Sequence, residues 1–341
     1  MPQVISKKVK GTLLLGDDYR SLQAATKIIN HGGLVAFPTE TVYGLGASAL
    51  DSRAISLIYA AKGRPQDNPL IVHVGKHDQL SEVAANVPEA AYRLIEEFWP
   101  GPLSLVLPRA ERIPKEVSAG LSTVAVRMPD HKIAIDLINL AGVPIAAPSA
   151  NRSGRPSPTS YRHVLEDLVG CIDAVIRSED CPVGVESTVL DLTGNSPVIL
   201  RPGGISLEDI EEILKKPIYV SGNKESSESP SSPGMKYRHY SPQAPLILVT
   251  GREERRRRVI NSLCAFYRGR GFKVGFLNSF IEKDLSKSIG PDVLAAKLYR
   301  ILREMDSRNM DLILAEEIPE KGLGLAVMNR LKKAATRILR A

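Results

Sequence analysis

A serine- and proline-rich stretch, SGNKESSESPSSPG at residues 221–234, divides the 341-residue chain into a longer first part and a shorter second part. The stretch holds six serines, two prolines, two glycines and no large apolar side chain. Such a composition cannot bury a core and is typical of a linker. Since domains usually span roughly 100 to 200 residues, a chain of this length is expected to form two of them.

The part after the linker alternates segments typical of strands with segments typical of helices. Strands are predicted at PLILVTG, FKVGFL and MDLILAEEI, and helices at REERRRRVINSLCAFYRG, DVLAAKLYRILREM and NRLKKAATRIL. This alternation predicts a small parallel sheet with helical crossovers, a Rossmann-like arrangement. The first strand-to-helix turn, with Gly251 followed by Arg252, matches neither of the common glycine-rich phosphate motifs. A regulatory or structural role is therefore expected for this part.

Charge and cysteine content narrow the class of protein. Lys plus Arg number 45 and Asp plus Glu 38, which gives a net charge of +7. This charge favours anionic partners such as nucleotides, RNA or acidic lipid without choosing among them. Three cysteines without Cys-x-x-Cys spacing argue against a disulfide framework or a structural zinc site. No apolar run has the length of a membrane helix, and the N-terminus lacks a signal-peptide pattern. A cytoplasmic protein without membrane contact is expected.

Residues 35–47, VAFPTETVYGLGA, read as a buried strand that breaks into a polar turn. The glycines at 44 and 46 are expected to let the backbone approach a ligand, so that the turn forms one wall of a pocket. A purely structural glycine-rich turn is the alternative.

Downstream of that turn, Asp51 is a plausible N-cap for a short helix that ends at Lys62-Gly63-Arg64-Pro65. Two cations between this helix and the following strand, which contains His73, could face one polyanion. Two exposed charges on a tight turn are the alternative.

Polar residues also gather where later strands end. Arg127 closes the apolar strand LSTVAVR, where its fork suits a carboxylate or phosphate as well as a salt bridge. The strand in VPIAAPSANRSGRPSPTS is followed by a dense run of serines with Asn151, able to donate to phosphate oxygens or to cap the next helix. Ser187 interrupts another strand, and Arg201 ends the last one. Strand ends are the usual ligand crevice of open sheets with parallel strands, so one shared pocket is predicted.

Taken together, PTETVYGLG, the Lys62-x-Arg64 turn and Ser149-Ala150-Asn151 resemble, in the same order, the motifs of the L-threonylcarbamoyladenylate synthases. The resemblance covers essentially the whole chain. It implies an α/β fold in which a YrdC-type catalytic domain with a twisted open sheet (residues 1–215) precedes a linker and possible active-site lid (216–244). A smaller Rossmann-like C-terminal domain (245–341) then follows, as in the two-domain members of the family.

The family resemblance implies a nucleotidyltransferase that joins L-threonine, bicarbonate and ATP into threonylcarbamoyladenylate and pyrophosphate. A separate complex then transfers the threonylcarbamoyl group to an adenosine beside the tRNA anticodon. Mg²⁺ is implied as the cofactor, bound mainly through the nucleotide.

The resemblance also implies a set of site residues. Those expected at threonine are Thr41, His73, Arg127, the backbone near Ala147, and Ser187, with Arg127 on the carboxylate. Those expected around ATP are Lys62, Arg64, Asn68, Thr123, Ser149, Asn151, Ser157 and Arg201. Lys62, Arg64, Ser149 and Asn151 would carry the catalysis, and Tyr240, in the lid-like KYRHYSP segment, would cover the pocket.

These residue types suit the chemistry, because an N-carboxylate can attack the α-phosphorus without a strong protein base. Positioning and cations on developing charge are the main requirements of such a transfer. The sequence names no base for carboxylation of the amine.

Two other functions stay open. One is a non-catalytic RNA-binding module, favoured by the positive charge and by the run Arg255–Arg258, although such a run is more often a solvated helix face. The aromatic fraction of 5% gives little support for base stacking. The other is a carbamoyltransferase of the same fold, as in hydrogenase-maturation proteins, whose zinc-finger and acylphosphatase-like regions are not found here.

Overall fold

The computed structural model describes residues 7–178, 181–221, 240–280 and 290–341. It divides into two compact units, which are described separately below. The first unit comprises Met1–Ser153 and Ser157–Lys236, and the second comprises Gly154–Pro156 and Tyr237–Ala341. The predicted linker beyond residue 221 and most of the lid-like KYRHYSP segment lie outside the described residues.

A mixed sheet forms the centre of the first unit. Its strands are β1 (Lys7–Val9), β2 (Thr12–Leu15), β3 (Val35–Phe37), β4 (Gly44–Ser48), β5 (Ile71–His73), β6 (Leu103–Pro108), β7 (Thr123–Arg127), β8 (Ile145–Ala146), β9 (Ala174–Ile176), β10 (Thr188–Asp191), β11 (Val198–Arg201) and β12 (Tyr219–Val220). They lie in the order β1-β2-β9-β3-β4-β8-β5-β7-β6-β10-β11-β12. The helices of this unit are α1 (Tyr19–Asn30), α2 (Ser52–Lys62), α3 (Leu80–Val83), α4 (Glu89–Phe98), α5 (Lys132–Ala141), α6 (Tyr161–Leu168) and α7 (Leu207–Leu214), with a 3-10 turn at His77–Gln79.

Apolar cores lie on both faces of this sheet. Val35 and Phe37 pack in a core with residues of α1 and α5, whereas Ala36 between them packs in a core with residues of α2, α4, α6 and α7. Side chains alternate between the two faces of a strand, so three consecutive buried residues serve two cores. This double burial explains why β3 reads as a continuous apolar run.

Helix α2 follows the sequence prediction closely. The Asp51 side chain accepts hydrogen bonds from the backbone N–H groups of Arg53 and Ala54, which satisfies two of the free donors at the helix start. Gly63 ends the helix in the left-handed conformation, with φ 59°. The helix therefore places Lys62 in its last turn.

The second unit has a parallel sheet of β13 (Leu246–Thr250), β14 (Val274–Phe276), β15 (Leu312–Glu316) and β16 (Arg337–Arg340), in the order β14-β15-β13-β16. Its helices are α8 (Glu253–Arg268), α9 (Pro291–Ser307) and α10 (Leu323–Ala334), with a 3-10 turn at Leu277–Phe280. The predicted parallel sheet is confirmed.

One element of the second unit was predicted wrongly. The last helix, expected over NRLKKAATRIL, begins earlier, at Leu323, and ends at Ala334. Residues Arg337–Arg340 instead form β16, where Ile338 lies opposite Leu248 of β13. Pairing with a central strand overrides the local helical preference of this short segment. Among the described helices of both units, none combines the length and apolarity needed to cross a membrane.

Candidate active site

The turn between β3 and β4 is compact, polar and buried. The Thr39 hydroxyl lies 2.8 Å from that of Thr41 and 2.7 Å from the backbone oxygen of Val42, to which it donates. Thr41 is buried. The two threonines of the motif therefore fix the turn internally and hold the Thr41 hydroxyl in place.

Gly44 and Gly46 have a packing role in the turn. A Cβ on Gly46 would lie 2.7 Å from the Phe37 ring and 2.8 Å from Ile145 Cγ2. A Cβ on Gly44 would lie 3.3 Å from Ala147 Cβ and from the same ring. These glycines make room for Phe37 and for the neighbouring strand β8, and their approach to a ligand stays a prediction.

Arg127, at the end of β7, is almost completely buried and is held on three sides. Its Nε donates to Gly101 O at 3.0 Å, and its NH1 donates to Thr41 Oγ1 at 3.0 Å. Its NH2 forms an ion pair with the buried carboxylate of Glu40. A guanidinium has five N–H groups. Two are hydrogen-bonded, and NH2 meets Glu40 as an ion pair without hydrogen-bond geometry, so at least two N–H groups remain for a ligand.

His73 lies beside Arg127, because β5 and β7 are parallel and the two residues face each other in register. Its Nδ1 is buried and has no hydrogen-bond partner in the described residues. Burial, and secondarily the positive charge of Arg127, lower the pKa of His73 to about 3. The ring is therefore neutral at physiological pH. Ala147, just after β8, is also buried and donates its N–H to Ile71 of β5 at 2.9 Å.

The side chain of Lys62 is buried, with an exposed fraction of 3%. Its Nζ donates to the backbone oxygens of Ser149 at 2.5 Å and Asn151 at 2.6 Å. Ser149 in turn donates its hydroxyl to Asn151 Oδ1 at 2.6 Å. Lys62 is therefore not an exposed surface charge, and Ser149 and Asn151 do not cap the next helix, α6, whose N-cap is Ser160.

Backbone hydrogen bonds join this Lys62 cluster to the turn that contains Thr41. Leu45 N donates to Pro148 O, and Ala150 N donates to Tyr43 O, each at 2.8 Å. The residues after β8 thus run along the residues that follow Thr41. Segments separated by about a hundred residues in sequence form one structure, as the prediction of a shared pocket requires.

Arg64 and Asn68 lie beyond the end of α2. Arg64 is half-buried and donates to the backbone oxygens of Asn68 at 3.2 Å and Pro69 at 3.0 Å. The amide of Asn68 is completely buried, and neither its nitrogen nor its oxygen has a hydrogen-bond partner in the described residues. Unsatisfied buried amides cost free energy and are rare, so this one indicates a place for a polar ligand or water.

A further polar cluster surrounds Ser187, which precedes β10 rather than interrupting it. Arg201 donates from Nε and NH2 to Ser187 O at 3.2 and 3.0 Å, and Ser104 Oγ lies 2.8 Å from Ser187 Oγ. Glu186, the residue before Ser187, accepts a hydrogen bond at Oε1 from the Ser157 hydroxyl, at 2.5 Å. A Cβ on Gly203 would lie 2.3 Å from the backbone of residues 186–188, so only glycine permits this close packing.

Thr123 and Tyr240 are the two remaining predicted site residues. Thr123 is half-buried at the start of β7, about 13 Å from Arg127 at the other end of that strand, given a rise of roughly 3.3 Å per residue. Tyr240 belongs to the second unit, where its ring stacks on Tyr299 with centroids 5.6 Å apart. Its assignment to a lid stays a prediction.

The sequence prediction omitted two buried carboxylates: Glu40, within the motif PTETVYGLG, and Glu186, the residue before Ser187. Glu40 pairs with Arg127, and Glu186 accepts from Ser157. The sequence carried a sign of both carboxylates, because an acidic residue within a buried segment is rarely found without a charged or hydrogen-bonding partner.

Comparison with known proteins adds a family to this geometry. Residues 27–203 match the Sua5_yciO_yrdC family model, described as "Telomere recombination", and residues 205–336 match the model described as "Threonylcarbamoyl-AMP synthase, C-terminal domain".

Individual relatives agree with these models. A threonylcarbamoyl-AMP synthase of Pyrococcus abyssi is 51% identical over 318 residues, which cover 92% of this chain and 94% of the relative. One of Bacillus subtilis is 47% identical over 330 residues, covering 94% of each chain. The crystal structure of P. abyssi Sua5 complexed with L-threonine matches with 47% identity and a TM-score of 0.91, and the match covers 97% of this chain and 100% of that one.

Proposed function

The chain belongs to the threonylcarbamoyl-AMP synthase family, and we propose that the polar clusters of its first unit hold the reactants in one site. The enzyme joins L-threonine, bicarbonate and ATP into threonylcarbamoyladenylate and pyrophosphate, for threonylcarbamoyladenosine modification of tRNA. The observation that carries the proposal is the hydrogen-bonded connection between the Thr41 turn and the residues that hold Lys62. We propose residues 1–215 as the catalytic domain and 245–341 as the C-terminal domain.

The threonine carboxylate is assigned to Arg127. Gly101, Thr41 and Glu40 leave one N–H group free on each of NH1 and NH2 of Arg127. These two N–H groups match the two oxygens of a carboxylate. Neutral His73 beside it does not add a second positive charge. The Thr41 hydroxyl, the backbone at Ala147 and the Ser187 hydroxyl complete the proposed threonine contacts.

ATP is assigned to the cluster around Lys62. Lys62 and Arg64 would counter the charge of the phosphates, while Ser149 and Asn151 orient oxygens from a loop that Lys62 itself holds in position. The unsatisfied amide of Asn68 would meet a polar group of the nucleotide. Ser157 and Arg201 are proposed at the phosphates, and Thr123 at a more distant part of the nucleotide.

These residues promote the reaction by alignment and charge. Bicarbonate and the threonine amine first form an N-carboxylate with loss of water. An oxygen of this N-carboxylate then attacks the α-phosphorus of ATP, and pyrophosphate leaves. Both reactants are negative, so buried cations reduce their repulsion in a site with little water. Alignment of two bound reactants can lower a barrier by roughly 7 to 11 kcal/mol, so no covalent intermediate is needed.

Mg²⁺ is proposed to enter with ATP. The described residues contain no group of three or more His, Cys, Asp or Glu side chains that could hold a metal ion. Mg²⁺ bound with ATP needs no such group, because this ion keeps phosphate and water ligands and takes few oxygens from the protein. Glu186, beside the proposed phosphate residues, is the buried carboxylate that could supply one.

We propose that the product passes to the complex that modifies tRNA, and that the enzyme acts in the cytoplasm. A weak tRNA contact of its own would use the arginines of α8. Two of these are already engaged, since Arg257 pairs with Glu253 at 2.8 Å and Arg256 lies 3.7 Å from Glu316. These ion pairs reduce the charge offered to RNA, so catalysis is favoured over a purely RNA-binding function.

Pyrophosphate release tests this function. Release from ATP is expected only when L-threonine and bicarbonate are both present. Release without threonine, or with carbamoyl phosphate in place of threonine and bicarbonate, would contradict the assignment. Salt-sensitive tRNA binding without any pyrophosphate release would identify an RNA-binding module instead.

A further inference from the structure

Glu40 is a buried carboxylate to which the proposed reaction gives no role of its own. Its side chain is 5% exposed and forms an ion pair with Arg127, whose side chain is 4% exposed. Its backbone oxygen accepts from Val183 N at 2.9 Å, which fixes the residue between two segments of the first unit. Transfer of a charge into a protein interior is costly unless an opposite charge compensates it, so each of these two residues requires the other.

Glu40 also determines how the Arg127 guanidinium is oriented. Gly101 O accepts from Nε, Thr41 Oγ1 accepts from NH1, and the Glu40 carboxylate lies against NH2 as an ion pair without hydrogen-bond geometry. The direction of the two remaining N–H groups follows from these three positions, because the guanidinium is planar and rigid. Without Glu40, NH2 of Arg127 would lose its ion-pair partner.

The pair has a second consequence, which concerns charge. Arg127 and Glu40 together are neutral, and neutral His73 beside them adds no charge. A zwitterionic amino acid brings equal positive and negative charge, so the occupied pocket stays neutral. A carboxylate without an amine would leave one uncompensated negative charge beside this buried pair, which is unfavourable.

We propose that Glu40 is a positioning and specificity-determining residue: it orients Arg127 and neutralises it, so that the pocket selects a zwitterionic amino acid over carboxylates without an amine. This inference rests on the proposed function, in which Arg127 receives the threonine carboxylate. An unpaired Arg127 would attract any small carboxylate and would be a poorer filter.

The test compares two ligands on purified full-length protein by calorimetry. L-threonine is the zwitterion, and (R)-3-hydroxybutyrate is the same molecule without its amine. The variant Glu40→Gln keeps the shape and an acceptor oxygen but removes the charge. We expect the ratio of the two affinities to fall at least about tenfold in this variant, with threonine bound more weakly and hydroxybutyrate bound equally or more tightly.

Turnover gives a second measurement on the same variant. The KM for threonine is expected to rise at least about tenfold, whereas kcat at saturating threonine should stay within about threefold of the wild-type value. A purely structural role would lower the active fraction and hence kcat, without changing the ratio of affinities. An unchanged ratio in folded Glu40→Gln protein would overturn the proposal.

Two further variants and a control complete the design. Glu40→Asp retains the charge, so it should keep the ratio within about threefold of wild type and serves also if Glu40→Gln does not fold; a tenfold loss of the ratio in Glu40→Asp would contradict the charge argument. Glu82→Gln removes a carboxylate from the exposed pair with Arg112, at 2.8 Å, and should change the affinity for neither ligand.

Arg127→Gln distinguishes a failure of the carboxylate assignment from a failure of the role proposed for Glu40. If that variant binds threonine normally, the carboxylate assignment itself is wrong, whereas loss of binding there with an unchanged ratio in Glu40→Gln refutes only the role of Glu40.

Discussion

The ammonium group of Lys62 donates to the backbone oxygen of Asn151 at 2.6 Å, although 89 residues separate the two in sequence. This contact joins the end of α2 to the segment that follows β8. It makes two short motifs, each weak by itself, parts of one polar cluster. The arrangement places a buried positive charge where the proposed ATP phosphates would lie.

Replacing Lys62 by methionine should strongly reduce activity, because it removes this charge while filling much of the same volume. We expect kcat/KM for pyrophosphate release to fall at least about 100-fold, and the free energy of unfolding to fall by about 1–3 kcal/mol, because the backbone oxygens of Ser149 and Asn151 lose their donor. Steady-state kinetics and urea unfolding measure the two effects. Lys132→Met, at a side chain 85% exposed, is the control and should change neither. Normal turnover in Lys62→Met would refute the phosphate assignment.

Replacing Arg127 by lysine should affect threonine far more than ATP. The ammonium keeps the positive charge but cannot offer two parallel N–H groups to a carboxylate. A lost hydrogen bond to a charged group corresponds to about 1.5–3 kcal/mol, so the KM for threonine should rise about 10- to 100-fold. The KM for ATP, measured at saturating threonine, should stay close to the wild-type value. A larger change in the KM for ATP than for threonine would exchange the two assignments.

Asn68 should show opposite effects on stability and on activity. Its buried amide has no partner in the described residues, so Asn68→Leu, of similar volume, should leave the free protein equally or more stable. The KM for ATP should nevertheless rise at least about tenfold, because the nucleotide loses a polar contact. Thermal unfolding without ligand and kinetics at varied ATP measure the two quantities. A destabilised variant with unchanged KM would show that the amide has a structural role only.

His73 should make stability depend on pH in a defined window. Its pKa is lowered to about 3 in the folded protein, from an ordinary value of 6.5. Between these values the unfolded chain binds the proton and the folded protein does not, so the contribution of His73 is complete above pH 6.5 and is lost as the pH falls. The slope approaches about 1.4 kcal/mol per pH unit.

Urea unfolding at pH 7, 6 and 5 tests this behaviour. His73→Gln cannot take up the proton, so its free energy of unfolding should fall less steeply with decreasing pH than that of the wild type. His77→Gln, at an exposed histidine, is the matched control. Parallel curves for His73→Gln and wild type would contradict the assignment of a neutral, buried ring.

Local features of the fold could be predicted from the sequence because they depend on neighbouring residues. The cap of α2 by Asp51 and its end at Gly63 follow from hydrogen bonds and backbone angles within the helix itself. The alternation after residue 245 likewise predicts a parallel sheet.

Features that depend on distant residues could not be predicted in this way. The burial of Lys62 depends on carbonyl groups near residue 150, and the pairing of Glu40 depends on a strand that ends at Arg127. The packing role of Gly46 depends on Ile145, and the strand at Arg337–Arg340 depends on a place beside β13. In each case the partner lies far away in sequence, where short-range patterns carry no information about it.

A crystal structure with L-threonine and a non-hydrolysable ATP analogue tests the central claim most directly. We predict the threonine carboxylate within hydrogen-bond distance of NH1 and NH2 of Arg127, and the phosphates beside Lys62, Arg64 and Ser149 in the same cavity. The threonine amine should face the α-phosphate closely enough for its N-carboxylate to reach the phosphorus. Threonine and nucleotide on separate surfaces of the protein would contradict the account.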